Sequence, residues 1–173
     1  MSLFINRMIR AAKLDVKLYE EIEADKSALK QAMGVVVLSS LAMGLGNLGI
    51  AGGSAIIMGI IAALIGWFIW AYITFFIGTK LLAEPQTRAD HGELLRTIGF
   101  SSSPGLIRIF GIIPGLWHIV NMIASIWMLS AMVIAVRQAL DYRSTLRAVG
   151  VCIIGWIVQA ILLGLMFVLL GGC

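Results

Sequence analysis

Charge is scarce in this sequence, and where it is missing says more than where it stands. Asp, Glu, Lys and Arg make up 13% of the 173 residues, about half the share of an ordinary soluble domain. No Asp, Glu, Lys or His falls at the middle of an apolar run. A proton- or sodium-coupled carrier usually keeps such a group there, so that class is disfavoured. There are two cysteines, Cys152 and Cys173. They fit no metal-ligand spacing and no disulfide framework. His91 and His118 lie far apart along the chain and share no metal in the topology derived below. The chain has no zincin helix, no phosphate loop and no Ser/His/Asp set in a plausible context. It is therefore expected to be no enzyme, to need no cofactor or metal, and to bind no nucleic acid. The positive charges near the start are interleaved with apolar residues. No apolar block with a small-residue cleavage site follows them, so the first membrane segment is expected to stay in the mature protein.

What is present is apolar. Hydrophobic residues are 60% of the chain, and the mean hydropathy is +0.99. A soluble domain holds about 45–50%. The runs satisfy their backbone groups in lipid by forming helices. Four spans are read directly, at 28–49, 54–79, 116–138 and 147–170. Pro85 breaks the polar connection "KLLAEPQTRADHGE" after the second of them.

The segment between the second and third of these runs, "GELLRTIGFSSSPGLIRIFGII", is ambiguous. Charge bias decides it. If residues 92–113 cross, the chain spans five times, and every Lys and Arg except Arg108 lies on, or at an end facing, one side. The expected fold is an all-α membrane protein: a five-helix transmembrane bundle over 28–171. Its N-terminus is cytoplasmic and its C-terminus outside, in the plasma (inner) membrane. Gly99, Phe100, Ser101, Ser102, Ser103 and Pro104 form the expected pivot of the third span. Pro104 opens the hydrogen-bond ladder, the serines supply replacement partners and the glycines allow close approach. The reading is a kinked helix at the centre of the bundle.

Residues 1–27 are a charged N-terminal segment. At 100° per residue Ile5, Met8, Ile9, Ala12, Val16, Tyr19 and Ile22 share one face, and Arg7, Arg10, Lys13 and Lys17 share the other. This predicts one amphipathic helix in the membrane interface, with those four cations on anionic headgroups. Glu20, Glu21, Glu23 and Asp25 read as a solvated helix face rather than a metal cluster.

Three stretches, "LDVKLYEEIEADKSALKQA", "FFIGTKLL…GELLRTIGFSSSPGL" and "MVIAVRQALDYRSTLRAV", together resemble the prokaryotic branch of the YIP family, small multi-pass membrane proteins named for Ypt/Rab interaction. The resemblance implies five spans and a cytoplasmic N-terminus. Gly99 to Pro104 is similar to the Gly-Tyr-x-x-x-Pro motif of eukaryotic members, with Phe100 in place of Tyr. Of their Asp-Leu-Tyr-Gly-Pro motif only Leu18-Tyr19 survives, a departure that weakens any expectation of a Rab-type GTPase partner. Two functions follow. The first is a non-enzymatic membrane interaction protein, a scaffold, organiser or assembly factor. Its partners are the bilayer and other membrane proteins, or further copies of itself. The alternative is a small channel or transporter with a polar path near Ser101–Ser103 and Gln159.

Overall fold

A computed structural model describes residues 2–47 and 54–171. Among these every regular element is helical. Two short helices, α1 (Leu3–Ala12) and α2 (Val16–Ala24), precede α3 (Ala28–Gly46) and α4 (Ser54–Phe76). A π-helical turn, Ile77–Leu81, ends α4. Next come α5 (His91–Phe100), a 3-10 segment (Ser103–Ile112), α6 (Trp117–Ala139) and α7 (Thr145–Gly171). Four stretches are long and apolar enough to cross a membrane: Ala28–Gly46, Ile56–Leu81, Trp117–Ala139 and Thr145–Leu162. Large apolar side chains such as Ile57, Ile65, Phe68, Ile126, Ile153 and Ile157 are exposed on them. In water that would be costly; in lipid it is the expected outer surface.

The N-terminal region is not one helix. The chain breaks after Ala12, where Leu14 takes φ 61°. Asp15 then caps a new helix by accepting from the Lys17 backbone N–H at 3.0 Å. An Asp placed to cap outcompetes continuation of the helix through it. The break folds α2 back against α1. Leu18, Tyr19 and Ile22 become fully buried with Ala11, Ala28, Ala32, Phe100 and Ala135.

The ambiguous segment holds the middle of the molecule. Seven consecutive residues, Leu94 to Phe100, are buried on every side. An Asp90/Glu93 capping box starts the helix, as the D-x-x-E pattern allows. A kinked α-helix was the expectation from the sequence. Instead the helix ends at Phe100 and continues as a 3-10 segment, with Pro104 near its start. Pro104 has no N–H for an α-helical bond to Phe100 and would clash with the preceding turn. The 3-10 form also lengthens the segment. Ten α-helical residues span about 15 Å. Ten 3-10 residues span about 20 Å, so together they reach roughly 35 Å.

Close contacts set the direction of this segment. A Cβ added to Gly99 would meet Ala32, one on Gly105 would meet Ser39, and one on Gly46 would meet the Arg108 carbonyl. Residues 99–108 therefore run alongside 32–46 in the same direction. Helix α6 runs the other way: Trp117 lies at Gly111 and Gly46, and Met128 at Gly105.

Candidate functional site

The charged residues gather at one end of the bundle, where α1 and α2 form a cap. Arg7 stands at its centre and is only 5% exposed. Its guanidinium pairs with Glu21 at 2.9 Å and Asp25 at 2.9 Å, and donates to Gln31 at 3.2 Å. Arg10 pairs with Asp15 and Glu21, each at 2.8 Å. Two of the four cations expected on headgroups thus have acidic partners within the chain. Arg7 is buried under acids, and Arg10 is shared between two of them. Only Lys13 and Lys17 of the four stand exposed. The physical reason is the break at Leu14, which brings the acids of α2 back over the arginines of α1. The Arg10 guanidinium holds the Asp15 and Glu21 carboxyls below their ordinary range. Asp25 is lowered first by the Ser27 hydroxyl and then by Arg7.

Three side chains, Arg96, Trp127 and Gln138, fasten the cap to the bundle by long-range hydrogen bonds. Arg96 is 5% exposed and donates through Nε to the Ile22 carbonyl at 3.1 Å. It also donates to the Glu23 carbonyl. It thus serves the carbonyl end of α2, where a cation is favoured by the helix dipole. Trp127 Nε1 donates to the Ala12 carbonyl at 2.7 Å, at the end of α1. Gln138 donates to Glu20 at 2.9 Å. The periodicity of residues 1–27 carries no sign of these bonds, because their other halves lie about a hundred residues away.

Between α2, the start of α5 and the α6–α7 loop lies a groove of about 580 Å³. Glu20, Glu23, Glu93 and Asp141 line it, with Arg137 and Arg143. Burial pushes the Glu23 carboxyl up to about 7, helped by Asp141, Glu93 and Glu20 and opposed by Arg96. Below the groove Tyr142 is buried. Its hydroxyl lies 2.8 Å from the Gly78 carbonyl and 2.9 Å from that of Leu82. It closes the π-helical turn, whose wider winding leaves carbonyls unpaired.

The residues of the expected pivot are brought together but divided in role. Gly99 and Gly105 are in close contact with α3. The Ser101 hydroxyl donates to the Ile98 carbonyl at 2.7 Å. Ser103 is buried, and its hydroxyl finds no partner among the described residues. Ser102 faces a cavity of about 300 Å³ that also reaches Ser39, Arg108 and Gln159. Trp67 Nε1 donates to the Leu95 carbonyl at 3.0 Å. His91 was not singled out as a site. Its ring meets Phe68, Tyr72 and Phe75 edge-on, with centroids 5.1, 5.7 and 6.2 Å away. Among the described residues no group of His, Cys, Asp and Glu is arranged to hold a metal.

Described elements that are all helical, four of membrane length, and a glycine-proline segment wedged among them narrow the family. The Yip1 domain family matches residues 20–167. The chain belongs to the Yip1 domain family. No curated protein and no solved structure matches it. As a Yip1 domain protein it is a multi-pass membrane protein, and the match runs from within α2 into the last turns of α7. The surviving Leu18-Tyr19 pair has a structural position: both side chains are 0% exposed. They hold the cap together and offer no surface to a partner.

Proposed function

We propose that this Yip1 domain protein is a non-enzymatic membrane interaction protein, acting as a scaffold, organiser or assembly factor. The observation that carries this is the folded charged end. A cap held by the ion pairs of buried Arg7 and by long-range hydrogen bonds from Arg96, Trp127 and Gln138 frames a groove bearing both signs of charge. Such a surface is pre-formed, which lowers the ordering cost of docking another protein. The test is recovery of partners in mild detergent by the wild type and by a Glu20→Gln, Asp141→Asn variant. Partner recovery should fall with the variant; unchanged recovery would sink the reading.

The same proposal includes a five-span topology in the plasma membrane with the charged end cytoplasmic. It is supported by the direction of residues 99–108 beside α3 and by a reach of roughly 35 Å for the broken segment, against a hydrocarbon core of about 30 Å. Single cysteines in a Cys152→Ser, Cys173→Ser background test it. Lys26→Cys and Ser144→Cys should label from one side and Gly115→Cys from the other. Labelling of all three from one side would refute it. Lys13 and Lys17, with exposed Leu3, Ile5 and Val16 beside them, are the groups we assign to the headgroup layer.

A second reading, a polar transport path, is favoured by one observation: Ser102 and Gln159 meet at the mid-bundle cavity with Ser39. Solute flux through purified protein in vesicles, abolished by Gln159→Leu, would support it, and absence of flux for ions and small polar solutes would remove it.

A further inference from the structure

Among the described residues Arg108 has no counter-ion. All nine acidic side chains belong to 15–25, 84–93 or position 141, which gather around the charged end through Glu23, Glu93, Asp141 and the Glu84–Arg147 pair. Arg108 stands at the opposite end of α3, its carbonyl beside Gly46. From Ala28 to Gly46 a helix rises roughly 27 Å. The side chain is also held in place rather than left to reach outward to the interface. It donates through Nη2 to Ser125 Oγ on α6 at 3.0 Å. Its buried Nε–H has no acceptor among the described residues.

The cavity of about 300 Å³ beside it is lined by Ser39, Ser102 and Gln159 on one part and by Trp67 and Trp156 on another. Among the described hydrogen bonds, the Ser39 and Ser102 hydroxyls and the Gln159 amide have none. Trp156, at the rim on α7, is 52% exposed. After Gly155 no described residue of α7 is buried, so the cavity is flanked by a helix standing in lipid.

We propose that Arg108 and this cavity bind a phosphate-bearing anion, with a phospholipid headgroup as its source. A guanidinium fork matches phosphate oxygens in pairs. Hydroxyl and amide donors around it can take the remaining oxygens, and the tryptophan rim receives the acyl chains. A second copy of the chain in the same orientation cannot neutralise Arg108, since its acids lie again at the far end. A transmembrane helix carrying one carboxylate would satisfy Arg108 but would leave the serines and Gln159 without a role.

The test is native mass spectrometry of the full chain in mild detergent. Three probes are titrated: phosphatidylglycerol, a diacylglycerol with the same chains, and inorganic phosphate. Phosphatidylglycerol should bind, diacylglycerol should not, and Arg108→Gln should weaken binding about tenfold or more. Arg108→Lys should weaken it less. Lys30→Gln, which removes an exposed cation elsewhere, should leave it unchanged. Binding of inorganic phosphate with equal affinity would assign the site to the free anion and overturn the lipid source. Equal binding of diacylglycerol, or of phosphatidylglycerol by Arg108→Gln, would overturn the site. So would a wild type that binds neither phosphate probe and instead retains an acid-bearing membrane helix. If Arg108→Gln does not fold, photo-crosslinking of a phosphatidylglycerol headgroup to wild-type protein decides. Labels should fall on Met43, Met128 or Met132, and labels confined to α1 would refute the proposal.

Discussion

Gly99→Ala isolates the contact on which the centre of the bundle depends. A Cβ at Gly99 would lie 2.7 Å from the Ala32 Cβ and 3.2 Å from the Ala32 backbone. Carbon atoms rest about 3.5–4.0 Å apart, so α3 and α5 would have to separate by roughly 1 Å. A helix backbone cannot rotate away as a flexible side chain can, and overpacking of this kind costs about 1–3 kcal/mol. Alanine recovers up to about 1 kcal/mol of helix propensity. With the full propensity gain the net expectation is a loss of about 0–2 kcal/mol, the difference of those two terms. Gly59→Ala is the internal control, because a Cβ there meets nothing within 4 Å; it should be neutral or slightly stabilising. Unfolding in a graded detergent mixture reads both. Ala32→Gly removes the methyl that Gly99→Ala collides with. The double variant should therefore show a favourable coupling of about 1 kcal/mol. Equal stability of Gly99→Ala and Gly59→Ala, or no coupling to position 32, would refute the argument that this contact positions the third segment.

The other expectations concern the charged end. Glu23 has a folded pKa of about 7 against an ordinary value of 4.5, so the folded state binds the extra proton between those values. Stability should fall as pH rises from about 4.5 to 7, by about 1 kcal/mol after allowing for partial exposure. Glu23→Gln should flatten that slope, as pH-dependent melting would read. Trp127→Phe leaves the Ala12 carbonyl without its donor, at a cost of about 1 kcal/mol; limited trypsin digestion should then cut faster at Arg10 or Lys13. Tyr142→Phe removes the one hydroxyl proton that lies between the Gly78 and Leu82 carbonyls, costing about 1–2 kcal/mol of thermal stability in detergent. Lys13→Gln with Lys17→Gln should reduce crosslinking of residues 1–17 to anionic lipid, each lysine being worth about 1 kcal/mol near such a surface; Glu84→Gln should not.

The helical, membrane-embedded character of the chain is legible in the sequence by itself. Apolar runs such as "SAIIMGIIAALIGWFIWAYITFF" leave few alternatives, because lipid offers no partner to an open backbone. The start of α5 was also legible, in the D-x-x-E pattern at Asp90 and Glu93. The fate of the segment after it was legible only in part. Pro104 announces a break, but not that the chain continues as a 3-10 segment along α3. That choice depends on Gly46, Gly99, Gly105 and Gly111 matching residues distant in sequence. The cap was decided by tertiary structure alone. Periodicity sees Arg7 and Arg10 on a helix's polar face, and that is correct locally. It cannot see that a turn at Leu14 lays Glu21 and Asp25 over them, or that Arg96 and Trp127 arrive from other helices to hold the ends of α2 and α1. A local pattern records which face a residue occupies, whereas the partner on that face is chosen by the path of the whole chain.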